Sequence, residues 1–324
     1  MTFLPTADWP TLRLRAELLR RTRAFFDERG FLEVETPILS ADTVVDRHLD
    51  PLETRLEGLG PTRTFYLQTS PEFAMKRLMA AGGAAIYQIT HAFRQGERGA
   101  RHNPEFTIVE WYRRDDDYDA GMRLLSDLCE TLLGRGTAER TTYRDAFLRH
   151  VGIDPLTAAD DAVAEAARRR VPEAAAAFDR ADSPADRDAW LDLLLTSLVE
   201  PYLGAERPTI LCDYPPSQAA LARVRQETPP VAERFELYVA GLELANGYHE
   251  LLDADVLRLR NAENNRLRAA DGKPKLPEES RLLEAMRHGL PACTGCALGF
   301  DRIVMLAAGK QDIAQVIPFS VERA

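Results

Sequence analysis

Four short stretches hold the side chains whose types and spacing can do chemistry. The first runs from Phe93 to Tyr112, FRQGERGARHNPEFTIVEWY. Arg94 ends a β-like run that begins at Ile86, and a loop rich in Gly and Arg follows. Asn103-Pro104-Glu105-Phe106 then leads into a second β-like run, Thr107 to Tyr112. This reads as a hairpin carrying fixed cations, an aromatic ring and acids. Arginine forks bind two phosphate oxygens at once and stay charged. Acids beside them hold ammonium groups. The hairpin therefore suits a nucleoside triphosphate next to a small cationic substrate.

The second stretch is Gly295-Cys296-Ala297-Leu298-Gly299-Phe300-Asp301-Arg302. Its glycines let backbone approach a ligand closely, and Arg302 falls in the first turn of an expected helix. The third runs from Phe235-Glu236-Leu237 to Leu242-Glu243-Leu244-Ala245-Asn246-Gly247-Tyr248-His249-Glu250. Glu236 and Glu243 sit on opposite faces of a single strand unless a turn or bulge near Gly241 intervenes. The fourth is Thr69-Ser70-Pro71-Glu72, which reads as the start of a helix. Cys293 and Cys296 spell CxxC, but no second pair accompanies them, so they read as incidental rather than as a zinc site.

These stretches need elements to position them. Residues 11–29 read as an amphipathic helix marked by Pro10 and Thr11, and Gly30 ends it. Phe31 to Glu35 alternates like a strand and stops at Thr36-Pro37. Residues 41–65 read as loop and Phe65 to Gln68 as a strand. Residues 72–80 read as a helix with Ser70 as N-cap and Pro71 in its first position. Helices are expected at 118–133, 158–180, 185–200, 254–270 and 278–288. Strands are expected at Thr209–Asp213, Phe235–Leu244 and Gly295–Gly299. The order lacks a βαβ rhythm, a GxGxxG and a Walker A loop. The expected class is α+β, an antiparallel sheet flanked by helices. The whole of 1–324 reads as one catalytic domain with a helical insertion at about 150–205.

A chain of 324 residues can bury a sizeable core. It has no apolar run long enough to span a bilayer and no signal-peptide pattern, so the cytoplasm is the expected compartment. Its 41 basic and 51 acidic residues leave a net charge of −10, which argues against a large nucleic-acid footprint. Local basic clusters exist: Arg13, Arg15, Arg20, Arg21 and Arg23, and later Arg258, Arg260, Arg266, Arg268, Lys273 and Lys275. They read as solvated helix faces or as a docking surface for an acidic macromolecule.

The hairpin of Arg94 and Phe106 resembles motif 2 of the class II aminoacyl-tRNA synthetases, most closely the lysine-specific branch. The helix–strand–Pro37 segment resembles motif 1, and Gly295–Arg302 resembles motif 3. The resemblance implies roles for named residues. Arg94 grips the α-phosphate and Arg302 the γ-phosphate, and these two carry the catalysis. Gln95, Gly96, Glu97, Arg101, His102, Asn103, Phe106, Glu243, Leu244 and Gly299 complete the ATP site, with Phe106 stacked on adenine. Glu236 and Glu243 hold Mg²⁺. Ser70, Pro71 and Glu72 close over the amino acid, Glu110 holds its amino group, and Tyr112, Asn246, Tyr248 and Glu250 hold the terminal ammonium. The motif 2 acid departs from the family pattern, because Glu97 stands one place late.

A lysyl-tRNA synthetase carries an anticodon-binding domain of over a hundred residues ahead of motif 1, whereas this sequence opens almost at motif 1. It therefore resembles the shortened paralogues that ligate lysine to elongation factor P, and no tRNA partner is expected. Ala297 supports this, because the ligase family has alanine where lysyl-tRNA synthetases have glycine. The resemblance implies (R)-β-lysine, or lysine, as substrate, ATP and Mg²⁺ as cofactors, elongation factor P as acceptor and a homodimer through the motif 1 region. The alternative is a minimal lysyl-tRNA synthetase-like enzyme charging a tRNA or a small amine.

Overall fold

The computed structural model describes residues 3–57, 63–179 and 186–324. In chain order, α1 (Trp9–Asp27) is followed by β1 (Leu32–Glu33), β2 (Leu39–Ser40), β3 (Glu53–Leu56) and β4 (Arg63–Leu67). Next come α2 (Glu72–Ala80), β5 (Ala85–Phe93), β6 (Glu105–Arg114), α3 (Tyr118–Leu133), β7 (Glu139–Thr142) and α4 (Tyr143–His150). α5 (Asp160–Arg170), α6 (Pro172–Asp179), α7 (Arg187–Leu194) and β8 (Thr209–Tyr214) lead to β9 (Val224–Arg225), β10 (Val231–Val239) and β11 (Leu242–His249). The chain closes with α8 (Ala254–Ala270), α9 (Arg281–Gly289), β12 (Cys293–Gly299) and α10 (Phe300–Ala308). The class is α+β, as expected. The elements form two compact units, Met1–Asp116 with Glu130–Gly134 and Leu252–Ala324, and Asp117–Cys129 with Arg135–Leu251.

In the first unit the strands run β1-β5-β6-β12. β1 is parallel to β5, while β5/β6 and β6/β12 are antiparallel. Successive strand residues face opposite ways. Tyr87 and Trp111 therefore share one face, and there Phe26 of α1 stacks on Tyr87 at 4.6 Å and meets Trp111 at 5.3 Å. Phe106, Ile108, Glu110 and Tyr112 occupy the other face. α1 starts two residues ahead of Thr11, because Asp8 is the cap and accepts from the Thr11 amide at 2.8 Å.

Several expectations need correction. Residues 41–65 are not all loop, since β2-β4-β3 form a small antiparallel sheet. β3 reads Glu-Thr-Arg-Leu with three exposed residues, so it carries no alternation to read. The strand at 31–35 shrinks to Leu32–Glu33. Pro71, not Ser70, caps α2: its carbonyl accepts from Met75, and the Ser70 hydroxyl only receives the Glu72 amide at 3.3 Å. The parts of the expected elements at 58–62, 180 and 185 lie outside the described residues.

The second unit carries strands β11-β10-β8-β7, with β9 beside β10. Its helices are not a peripheral decoration. Val163, Ala166 and Ala167 of α5 are buried with Phe147, Trp190, Leu191 and Leu194 in one apolar core. The expected helix at 185–200 ends at Leu194 and continues as a π-helical turn over Leu195–Val199. The expected strand 235–244 is a hairpin, because Ala240 and Gly241 both take positive φ, 51° and 69°, the geometry of a type I′ turn.

That turn docks on Leu203 and Gly204, whose carbonyls accept from Gly241 and Ala240 at 2.8 and 2.7 Å. Gly204 has φ +71°, and a Cβ there would lie 2.4 Å from the Tyr238 carbonyl oxygen. Gly204→Ala is expected to cost about 2–4 kcal/mol, left-handed strain plus a backbone clash. Urea unfolding of the two proteins checks this, and equal midpoints would remove the argument.

Candidate active site

The β5/β6 hairpin sets its register by pairing Phe93 with Glu105, Gln88 with Glu110 and Ile86 with Tyr112. The Arg94 amide closes it by donating to the Pro104 carbonyl at 2.9 Å. The Arg94 side chain then lies over the Phe106 ring at 5.0 Å and donates from Nε to the Thr69 carbonyl at 3.4 Å. One face of Phe106 is thus covered by a guanidinium. Glu97, the late acid, reaches Arg94 at 3.5 Å. The extra Gly96 makes this possible by taking φ +82°. The Gln95 amide is anchored on the Asp50 carbonyl at 2.8 Å.

The loop beyond is tied down at its far end. Asn103 is buried, donates to the Glu105 carbonyl at 2.6 Å and accepts from the Val321 amide at 3.1 Å. Its side chain holds the loop. Arg101 is exposed. His102 Nε2 lies 2.8 Å from Arg302 Nη2, so the motif 2 loop and the motif 3 helix meet here. Desolvation, then the Arg302 charge, hold the His102 ring below the ordinary imidazole range; Glu97 opposes this, and Arg94 and Arg101 add to it. In its neutral form the ring accepts an N–H hydrogen bond from Arg302 at Nε2.

β12 lies on β6 with Gly295 opposite Tyr112, Ala297 opposite Glu110 and Gly299 opposite Ile108. Directly opposed residues share a face. The Ala297 methyl therefore stands on the Glu110 side of the sheet, flanked by two glycines that leave the surface low. Cys293 and Cys296, three apart on this strand, face opposite ways and do not converge on one ion. Tyr112 donates its hydroxyl to Glu110 Oε1 at 2.6 Å. Two expected substrate residues thus touch each other. Glu110 is 1% exposed.

Sequence reasoning missed Lys76. It is buried on α2 and pairs with Glu72 Oε1 at 2.5 Å. The signal was the i,i+4 spacing of Glu72 and Lys76, which reads as an ordinary surface pair. It also missed Arg15, part of a basic cluster taken for surface. Arg15 Nη1 lies 2.5 Å from Asp301 Oδ1, and Nη2 donates to Thr107 Oγ1 at 2.7 Å. Arg268 is similarly withdrawn, 1% exposed and bonded to Asp50.

In the second unit the β10/β11 register pairs Glu236 with Asn246 and Tyr238 with Glu243, with a shift between Leu237 and Tyr238. Leu244 is the extra residue. The bulge restores parity, so Glu236, Glu243, Asn246 and Tyr248 share a face despite their spacing. Glu250, fully buried, continues the alternation just past the strand end. Asn246 Oδ1 is buried without a hydrogen-bond donor among the described residues. Glu236 is held by three donors: Arg234, and the hydroxyls of Tyr214 and Tyr238 at 2.6 Å each. Burial, then Glu236, pushes both tyrosines far above their usual range, so both remain donors.

Among the described residues no group of three or more His, Cys, Asp and Glu could hold a metal ion. The Glu236–Glu243 pair still fits magnesium on donor chemistry. Both are hard oxygen donors on one face of the hairpin, and Mg²⁺ takes one or two carboxylates when phosphates and waters supply the rest. Glu243, half-buried, is the more open of the two.

A hairpin arginine beside an aromatic ring, joined through a loop histidine to the arginine of a glycine-led helix, defines a class of protein. The chain belongs to the class II tRNA synthetases of the D, K and N group, whose family model matches residues 9–323. Within that class it is 48% identical over 328 residues to the elongation factor P–(R)-β-lysine ligase of Salmonella typhi, covering 100% of this chain and 98% of that one. The ligases of that name from Salmonella dublin and Salmonella enteritidis PT4 are 47% identical with the same coverage.

His102 yields a pH prediction. Its folded pKa is depressed, so the contribution of its neutral form is complete above the unfolded imidazole value and is lost as pH falls through the folded one. An NMR titration of the His102 ring should place its midpoint below 6.5, and adding ATP, whose phosphates favour imidazolium, should raise it. A midpoint at or above the ordinary value would contradict the geometry.

Proposed function

We propose that this protein activates (R)-β-lysine, or lysine, with ATP and transfers the acyl group to a lysine ε-amine of elongation factor P. The observation that carries this is the end-to-end match to relatives of that name. In the first step a carboxylate oxygen of the amino acid attacks the α-phosphorus, the bond to the bridging oxygen breaks, and pyrophosphate leaves. Arg94 neutralises the α-phosphate, and Arg302 with His102 faces the triphosphate tail. In the second step the neutral ε-amine attacks the adenylate carbonyl, loses a proton, and AMP departs.

On this reading the first unit supplies Arg94, Gln95, Gly96, Glu97, Arg101, His102, Asn103, Phe106, Gly299 and Arg302 to ATP. Ser70, Pro71, Glu72, Glu110, Tyr112 and Ala297 serve the amino-acid end. Glu243 and Leu244 also serve ATP, and Asn246, Tyr248 and Glu250 the terminal ammonium. Magnesium, held by Glu236 and Glu243, would neutralise phosphate charge. The whole chain acts as one catalytic domain. The exposed Trp9 and Leu32 in the motif 1 region support a homodimer there. Among the described residues no helix is long and apolar enough to cross a membrane, and an acceptor used in translation fits work in the cytoplasm.

ATP–pyrophosphate exchange with (R)-β-lysine and with L-α-lysine, followed by intact mass of elongation factor P, tests the reading. Exchange favouring β-lysine and a gain of one lysyl unit on the factor are expected. Exchange without acceptor modification would redirect the transfer step to a tRNA or small amine. Ala297→Gly is expected to improve L-α-lysine relative to β-lysine by about 10- to 100-fold in kcat/KM, the worth of one methyl in a packed pocket. An unchanged ratio would remove Ala297 from substrate selection.

A further inference from the structure

Lys76 is 1% exposed. Lysine is almost never buried that deeply unless its charge is paired. The pair it makes, 2.5 Å to Glu72 one turn earlier on α2, is no reason to bury it, since such pairs stabilise helices as well at the surface. Desolvating both ions costs more than a well-packed apolar residue would. The position is informative. The Lys76 ammonium also sits 5.8 Å from the centre of the Tyr112 ring, within cation–π range. Tyr112 in turn donates to Glu110 at 2.6 Å. Lys76 is thus the link between the two carboxylates assigned to the amino-acid end of the substrate.

We propose that Lys76 is a positioning residue that sets the charge of the amino-acid pocket. It fixes the Glu72 carboxylate and, against Glu72 and Glu110, leaves one net negative charge. That charge matches a substrate with a single ammonium near its reacting carboxylate. Without Lys76 the Glu72 carboxylate would lose the partner that fixes it, and two uncompensated negative charges would stand at the amino-acid end. The pocket therefore selects amino acids bearing one amine at that end, and disfavours ω-amino acids that lack it, such as 6-aminohexanoate. This inference rests on the reading of Glu72 and Glu110 given above.

The test is a double-mutant cycle in ATP–pyrophosphate exchange with the full chain and (R)-β-lysine, using Lys76→Met, Glu72→Gln and both together. Lys76→Met should raise the amino-acid KM about tenfold or more while the KM for ATP stays within about twofold. In the Glu72→Gln background the same change should not raise the amino-acid KM, because the single negative charge of the pocket then rests on Glu110 alone. Equal losses in both backgrounds, or an equal rise in the KM for ATP, would overturn the proposal while leaving the enzymatic reading intact. Should Lys76→Met not fold, Lys76→Arg, which keeps the charge but displaces it, carries the test: a raised amino-acid KM alone supports the proposal, and unchanged constants overturn it. Absence of exchange in the wild-type chain would defeat the enzymatic reading, and this one with it.

Discussion

Asp301 is the carboxylate on which the first unit is built. It is 2% exposed and accepts from Arg15 at 2.5 Å and from the Thr107 amide at 2.8 Å. A buried carboxylate that loses its partners costs several kcal/mol. α1, β6 and α10 are therefore bound to one another through a single charge. Phe106 adjoins Thr107 and Arg302 adjoins Asp301. Two of the residues that face the nucleotide in the proposed reading are thus immediate neighbours of this node.

The second unit uses the same device. Glu236 is buried among Arg234, Tyr214 and Tyr238. Although burial works against its charge, Glu236, then Tyr248 and Tyr214, hold the Arg234 guanidinium well above its usual range. The arrangement locks the strand that presents Glu236, so Glu243 and Asn246 are placed by a rigid hairpin rather than by a loop. Lys76 repeats the pattern on a smaller scale, with one buried cation governing where a carboxylate stands.

Much of the site was legible because its signals are local. Period-2 alternation and an Asn-Pro turn made the β5/β6 hairpin readable, and glycines ahead of Asp301-Arg302 marked a strand entering a helix. Where local signals were weak the reading failed. β3 has no apolar alternation, and the cap of α2 moved by one residue because a backbone carbonyl replaced a hydroxyl. The parity of Glu236 and Glu243 could not be read, because a bulge at Leu244 leaves no compositional mark.

The sequence alone determined which chemical groups exist and in what local frame: the arginine at a strand end, the ring two strand residues before Ile108, the acids at alternating positions, the alanine between two glycines. These follow from chain order and from the geometry of strands and turns. Only the tertiary structure decided which charges meet. Arg15 finds Asp301 across 286 positions, and Arg268 finds Asp50 across 218. Lys76 is buried by packing although its partner is only one turn away. Burial and long-range pairing depend on which segments are brought together and how far water is excluded between them, and no spacing along the chain carries that information.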